Sequence, residues 1–181
     1  MSRPLRTPVL WSNEPVVRAG VRLGVDVGSV RVGLAASDPS GLLASPVETV
    51  PRDVTDARTD LARIAALAHD LDAVEVVVGL PRHLSGAEGE AAALARAYAS
   101  DVARLVDPVP VRLVDERLTT VESHRRLRES GVAGRSQRGV VDQTAAVLIL
   151  QSALDGERAS GRAPGSRVDP LRRRPRQKDR A

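Results

Sequence analysis

The sequence predicts an α/β fold in which helices pack on a mixed five-stranded sheet, with the element order β-β-β-α-β-α-β-α-α. Three observations carry this prediction. Short alternating apolar runs separated by turn residues fill positions 21–50, and helical periodicities alternate with short β-branched runs from position 55 onwards. The chain of 181 residues is also long enough for one domain with a real core, and it is short for two.

The first three strands are predicted to form an antiparallel meander. Residues 21–27 alternate apolar with other side chains, and Gly28-Ser29 supplies a turn into a partner strand at residues 30–37. Asp38-Pro39-Ser40-Gly41 is a second turn, after which a third strand is expected over residues 42–50.

Helices and short strands are predicted to alternate in the rest of the domain. Helical spacing begins near Thr55 and indicates a helix of about four turns. Residues 74–79 form a short β-branched run, which predicts a buried strand parallel to the first. A polar loop at residues 82–88 then leads into an Ala-rich helix. The apolar face of that helix is expected to comprise Ala91, Leu94, Ala95, Tyr98, Val102 and Leu105.

A strand and two helices complete the predicted domain. The strand covers residues 111–114, and Thr119 or Thr120 can cap a helix that runs to about Glu129. The last helix is expected over about 136–155. Ligands gather at the carboxyl ends of the strands in open α/β sheets, so residues that follow these strands are candidates for a site.

The ends of the chain differ from the folded body. Residues 1–20 are interrupted by prolines and predict a flexible arm, so the domain is expected over residues 21–156. Residues 157–181 hold nine Arg or Lys and three Asp or Glu, a net charge of +6, which leaves −2 for the preceding 156 residues. This basic tail is expected to be disordered in the free protein. It either grips phosphates electrostatically or is simply solvated.

Composition excludes several function classes. Cysteine is absent, so disulfides, zinc–thiolate sites and thiol catalysis are excluded. Trp11 and Tyr98 are the only aromatic residues, which disfavours binders that stack bases on aromatic platforms. No run reaches the roughly 18–20 apolar residues of a membrane span, and no targeting pattern opens the chain, so a cytoplasmic location is expected.

Three acidic residues lie in apolar settings where an unpaired carboxylate is costly to bury. Asp26 is inside the first strand, Glu116 follows the fifth, and Asp142 begins an apolar helix. Asp26 could instead serve a turn, Glu116 could pair with Arg117 at the surface, and Asp142 could cap its helix. Glu116 is favoured as a metal ligand, with Asp115 as the alternative.

Three converging carboxylates would repel one another unless a divalent cation held them together. Oxygen ligands suit Mg²⁺ or Mn²⁺, which keep several waters for substrate phosphates. The chemistry that follows is two-metal hydrolysis of phosphodiesters, which requires no protein nucleophile.

Four motifs resemble the YqgF/RuvX family over about residues 20–156. They are GVDVGSVRVG at 24–33, VGLP at 78–81, DERLTT at 115–120 and VDQTAA at 141–146. Members of this family are described as Holliday-junction resolvases and as pre-16S rRNA nucleases with an RNase H-like fold.

The resemblance implies that Asp26, Glu116 and Asp142 form the acidic metal site. It further implies a set of residues that shape the substrate groove, namely Arg31, Ser85, Gly86, Arg117, Thr119, Thr120 and Arg138. Arg138 stands where the family often has lysine, and either residue can bind phosphate. The arm and the tail lie outside the resemblance, and their roles are not inherited.

The favoured hypothesis is therefore a Mg²⁺-dependent endonuclease of structured nucleic acid, most directly of pre-16S rRNA 5′ ends in ribosome biogenesis. The alternative within this class is a resolvase of branched DNA, since carboxylates and phosphate contacts read neither sugar nor base. A non-cleaving binding factor and an actin-like kinase are the alternatives from other classes. The protein is expected to be a monomer or a dimer, because only a resolvase of symmetric junctions needs a two-fold dimer.

Overall fold

The protein is described from a computed structural model that covers residues 18–82, 85, 88–116 and 138–169, with only the backbone of 138–144. Nine elements occupy these ranges. In chain order they are β1 (Arg22–Val27), β2 (Arg31–Ser37), β3 (Ala44–Pro51), α1 (Thr59–Asp70), β4 (Glu75–Leu80), α2 (Glu90–Leu105), β5 (Val111–Asp115), α3 (Arg138–Ser160) and β6 (Ser166–Arg167). The helix predicted to run from Thr119 or Thr120 to about Glu129 lies outside the described residues.

The strands form one mixed sheet in the order β3-β2-β1-β4-β5-β6. β1 pairs with β4 and β4 with β5 in parallel, whereas the β1–β2, β2–β3 and β5–β6 pairs are antiparallel. The predicted meander and the parallel strands are therefore confirmed, and the described part of the chain has six strands where five were expected.

The sheet is covered on both faces, and this explains why β1 and β4 are buried throughout. Leu23, Val25 and Val27 face the core formed with α1 and α2, together with Val76 and Val78 of β4. Successive strand residues point to opposite faces, so the alternate positions face α3. The core on that side comprises Ala35, Val77, Val114 and the apolar residues of α3, among them Ala145, Ala146, Ile149 and Leu150.

Two helices differ in detail from the prediction. Asp53 accepts hydrogen bonds from the backbone N and the hydroxyl of Thr59, both at 2.8 Å, and Arg58 adopts a left-handed conformation, so α1 begins at Thr59 and not near Thr55. In α2 the buried residues are Ala92, Ala95, Tyr98, Ala99, Val102 and Ala103. Ala91, Leu94 and Leu105 were placed wrongly, because all three are exposed, Leu105 to 54%, and Ala92, Ala99 and Ala103 take the buried positions beside the other three.

The folded part extends beyond residue 157, where the basic tail was predicted to begin. α3 continues to Ser160, and β6 pairs with β5. Gly165 has a φ of 58°, and a Cβ built there would overlap the carbonyl oxygen of Leu113, so only glycine brings the chain this close to β5. Val168 is buried, and its N–H donates to the Val111 carbonyl at 2.8 Å. Residues 170–181 lie outside the described part.

A buried ionic network ties the C-terminal part of α3 to the start of β1. Arg22 is 1% and Glu157 3% exposed, and Arg22 Nη2 donates to Glu157 Oε1 at 3.2 Å. Arg18 binds the same carboxylate through Nε at 2.7 Å and also donates to Glu75 Oε1 at 3.0 Å. Arg18 belongs to the predicted flexible arm, but it is held here by two carboxylates.

Replacing Glu157 by Gln is expected to lower the free energy of unfolding by about 3 kcal/mol, because the buried Arg22 loses its counter-charge. Burial alone would raise the pKa of Glu157, but the Arg18 hydrogen bond and the Arg22 charge outweigh it, and the pKa is lowered. The stabilisation of the fold by the Glu157 carboxylate is therefore complete above the unfolded-state pKa of about 4.3, and it is lost as the pH falls below that value. Urea denaturation of both proteins at pH 7 and at pH 3 measures this difference.

Asp155→Asn is the matched control, because Asp155 is more than half exposed on the same helix and pairs with Arg158 at 3.5 Å. We expect it to change stability by less than about 0.5 kcal/mol. Equal losses in the two variants, or a Glu157→Gln loss that does not shrink at low pH, would contradict the assignment.

None of the described helices is long and apolar enough to span a membrane.

Candidate active site at the carboxyl end of the sheet

Asp26 lies near the carboxyl end of β1, is 3% exposed, and is paired with Gly33 of β2. Asp26 lies two residues after Gly24, so these two residues face the same side of the sheet. That face carries α3, since a Cβ built at Gly24 would lie 2.8 Å from Leu150 Cβ. Asp26 therefore occupies the α3 face of the sheet, and the prediction that it sits inside the strand and not in the following turn agrees with this position.

Glu116 follows β5 directly and is also 3% exposed. Its carboxylate lies over β4, because a Cβ built at Gly79 would overlap Glu116 Oε1. The same Cβ would be 2.6 Å from Ile149 Cδ1 of α3. Glu116 and Asp26 therefore share the α3 face, one from each of the two strands that flank β4.

Asp115, the alternative to Glu116, has a different environment. It pairs with Leu80 of β4 and precedes Glu116 by one residue, so it belongs to the opposite face of the sheet. Its Oδ2 lies 3.6 Å from Arg82 Nη1, and its side chain is 21% exposed. The alternation of faces therefore favours Glu116 over Asp115 as the partner of Asp26.

The path of α3 brings its first turns towards these two carboxylates. Glu157 contacts Arg22 at the start of β1, whereas Ala146 and Leu150 lie against Gly24 in its middle. The helix thus runs antiparallel to β1, and its earlier residues lie towards the carboxyl end of that strand. Asp142 precedes Ala146 by about one turn in this helix. Only its backbone is described.

The other predicted site residues fall into two groups. Arg31 begins β2, and its carbonyl accepts a hydrogen bond from the Gly28 N–H at 2.9 Å, across the predicted turn. Ser85 is exposed in a turn between β4 and α2, and Arg138 is the first residue of α3, with only its backbone described. The remaining four, Gly86, Arg117, Thr119 and Thr120, lie outside the described residues.

Among the described side chains, no three Asp, Glu, His or Cys lie close enough to hold a metal ion, and Asp142 is not among those side chains. The described geometry therefore comprises two carboxylates on one face, a glycine at position 79 that makes room for one of them, and the helix whose early turns carry the third acid.

Two features of this region involve residues that were not among the predicted site residues. Gly79 was assigned only as the end of a strand, although it makes room for the Glu116 carboxylate. Arg82, Glu88 and Arg96 form ion pairs at the same end of the sheet. Their signal in the sequence is the charge that follows the VGLP motif, but spacing alone does not show that the three side chains meet.

A depression of about 380 Å³ on the opposite face does not compete with this site. It is lined by residues at the end of β3 and the start of α1, including Arg52, Asp60 and Arg63. Asp60 is paired with Arg52 at 2.6 Å and accepts the Tyr98 hydroxyl at 3.1 Å, and Arg63 is paired with Glu48 at 2.7 Å. These contacts account for its charges as parts of the fold.

Comparison with known proteins identifies the family. The model of the family described as "RuvX: Holliday junction resolvase" matches residues 20–156. The chain belongs to the RuvX family. The resemblance carried by the four motifs is thereby confirmed over the same range, and the sheet order β3-β2-β1-β4-β5 with β2 antiparallel fits the RNase H-like fold that this resemblance implied.

Curated relatives match most of the RuvX-family chain. A Streptomyces avermitilis protein is 54% identical over 154 residues, which cover 84% of this chain and 97% of that protein. A Nocardioides protein is 58% identical over 155 residues, which cover 84% and 99% of the two chains. Both bear the name "Putative pre-16S rRNA nuclease". Among solved structures, Thermus thermophilus RuvC in complex with a Holliday junction substrate is 18% identical, with a TM-score of 0.48 over 80% of this chain and 99% of that one.

Proposed function

We propose that this RuvX-family chain is a divalent-metal-dependent nuclease that hydrolyses phosphodiester bonds of structured RNA and processes the 5′ end of pre-16S rRNA. The name of its relatives supports the RNA substrate, because they are more than half identical to it over nearly their whole length. The proposed setting is ribosome biogenesis in the cytoplasm.

One observation carries the catalytic part of the proposal. Asp26 and Glu116 are both 3% exposed, and they come from strands on either side of β4 to the same face at the same end of the sheet. Burying two carboxylates on one face of the sheet is costly, because each loses its hydration and their like charges repel. A divalent cation removes this cost, which is the physical reason to propose one here.

The residues fit such an ion. Asp26, Glu116 and Asp142 would supply carboxylate oxygens only, the donor set that Mg²⁺ and Mn²⁺ prefer. Gly79 leaves the space in which the Glu116 carboxylate lies. When bound as a pair, such ions activate a water and stabilise the leaving oxygen of the phosphodiester.

The chain itself supplies the frame for this chemistry. β1 holds Asp26 within regular backbone, and Glu116 directly follows the last residue of β5. The network of Arg22 and Glu157 holds the other end of α3 in register with β1. Arg31 and Arg138 are proposed to bind substrate phosphates around the acidic site, together with Ser85, Gly86, Arg117, Thr119 and Thr120.

The purified full-length protein should cleave a pre-16S rRNA fragment with its 5′ extension in the presence of Mg²⁺ or Mn²⁺, and EDTA should abolish the cleavage. Primer extension maps the new 5′ end. A mobile four-way DNA junction of equal length is the competing substrate in the same assay. Cleavage that persists in EDTA would refute the metal dependence, and the absence of cleavage of either substrate with either metal would refute the nuclease activity.

The second candidate is resolution of Holliday junctions, which the description of the matching family favours. It predicts symmetric nicks in the four-way junction and little cleavage of the RNA. It also requires a two-fold dimer, since a symmetric junction must be cut at two related positions. The mass of the protein in solution, with and without junction DNA, therefore separates the two candidates independently of the cleavage assay.

A further inference from the structure

A charged cluster lies at the same end of the sheet as the proposed metal site. We call Arg82, Glu88 and Arg96 the rim cluster. Arg82 follows β4 by two residues, and its Nη1 lies 3.6 Å from the carboxylate of Asp115, the neighbour of Glu116 in the chain. The rim cluster therefore contacts the end of β5 through Asp115, on the opposite face of the sheet from Glu116.

Two arginines in the rim cluster share a single carboxylate. Arg82 Nη2 donates to Glu88 Oε1 at 2.7 Å. Arg96 Nε donates to Glu88 Oε2 at 2.8 Å and its Nη2 to Oε1 at 2.5 Å, so this guanidinium grips both oxygens at once. The side chains of Arg82, Glu88 and Arg96 are 30%, 33% and 41% exposed, so solvent reaches all three.

Glu88 is ionised at neutral pH. The hydrogen bond from Arg96 is the main reason that the pKa of Glu88 is lowered to about 2, while partial burial opposes the change and Arg82 adds to it. The rim cluster therefore carries two positive charges and one negative charge, and the Glu88 carboxylate accepts hydrogen bonds from both arginines.

We propose that Arg82 and Arg96 form a subsite for a phosphate of the nucleic-acid backbone, and that Glu88 occupies this subsite in the free protein as a competing anion. A phosphodiester offers two non-bridging oxygens, which an arginine fork binds in the same bidentate way as a carboxylate. Exposed ion pairs contribute little net stability, so the exchange of Glu88 for phosphate costs the fold little. This inference rests on the proposed function, because it assigns the subsite to the substrate of the nuclease.

The test is binding of a fluorescent RNA hairpin of 30 nucleotides, measured by anisotropy over a range of KCl concentrations in EDTA, with a four-way DNA junction as a second probe. A hairpin of this length has a stem of about 13 base pairs, on the order of one helical turn, which offers several phosphates for contact. Glu88→Gln should tighten binding by about threefold, and Arg96→Gln should weaken it by about tenfold while lowering the salt slope by about one. In an Arg82→Gln/Arg96→Gln background, Glu88→Gln should have no effect, because the two guanidinium groups for which Glu88 and phosphate compete are then absent.

Glu48→Gln is the matched control for charge. Glu48 is 31% exposed and pairs with Arg63 at 2.7 Å, so its removal changes the net charge by the same amount outside the rim cluster. Equal tightening by Glu48→Gln and Glu88→Gln would overturn the inference, as would arginine variants that bind like the wild type. Binding in EDTA requires no hydrolysis, so a failed cleavage assay leaves this result readable, and a failed binding test leaves the nuclease intact.

Discussion

Asp26→Asn and Glu116→Gln should each lower kcat by at least about 10³-fold, equivalent to about 4 kcal/mol of transition-state stabilisation. Each change keeps the shape of the side chain and removes the negative charge that the proposed cation needs. Mg²⁺ should raise the melting temperature of the wild-type protein but not that of these variants, because a ligand that binds only the folded state stabilises it. Single-turnover cleavage of the RNA and thermal unfolding with and without Mg²⁺ measure both effects.

Asp115→Asn is the control for this pair, since Asp115 is adjacent to Glu116 in the chain but lies on the other face of the sheet, beside Arg82. We expect it to lose less than about fivefold in kcat and to keep the stabilisation by Mg²⁺. If Asp115→Asn abolished activity while Glu116→Gln remained active, the two acids would have exchanged roles. If wild type and all three variants had equal activity, the acidic site would be wrong.

Gly79→Ala should separate the stability of the fold from the position of Glu116. The added methyl group meets Ile149 Cδ1 at 2.6 Å, and overpacking of this kind costs about 1–3 kcal/mol of unfolding free energy. It also overlaps Glu116 Oε1, so the carboxylate of the proposed ligand must shift to make room. Displacement of that carboxylate should lower kcat by about 100-fold, because the proposed ligand leaves its place.

The double variant Gly79→Ala/Ile149→Val tests this separation, because valine lacks the Cδ1 atom that meets the new methyl group. Urea denaturation should show that stability is largely regained, whereas cleavage activity should remain low. Recovery of both together would mean that Gly79 matters for packing alone. Gly156→Ala is the control for glycine replacement, since nothing lies within 4 Å of a Cβ there, and it should stabilise α3 by about 0.5–1 kcal/mol.

The fold class could be predicted because its signals are local. Strands β1, β2 and β4 and the last helix appear as periodic runs bounded by turn residues, and their boundaries hold within a few residues. The face of α2 could not be predicted, because Ala91 and Leu94 fit a helical stripe as well as Ala92 and Ala99 do. Packing against α1 and the sheet selected the face that carries Ala92, Tyr98 and Ala99, and that choice depends on contacts with residues far along the chain.

The strand after α3, β6, could not be predicted from the sequence either. Residues 166–167 carry no apolar run, and β6 exists only because Gly165 permits a close approach to Leu113 and because Val168 is buried behind it. Composition described this segment as part of a basic tail, which is correct for its charge but not for its structure up to residue 169.

The amino-acid sequence by itself determined the α/β class, the family and the three acids that the proposed site requires, because motifs, periodicity and apolar context are properties of short segments. Only the tertiary structure decided that Glu116 and not Asp115 shares a face with Asp26, that Gly79 makes room for its carboxylate, and that Arg82 and Arg96 meet at Glu88. The physical reason is that strand pairing sets which of two adjacent side chains faces α3, and the register between β4, β5 and α3 depends on contacts between residues far apart in the chain.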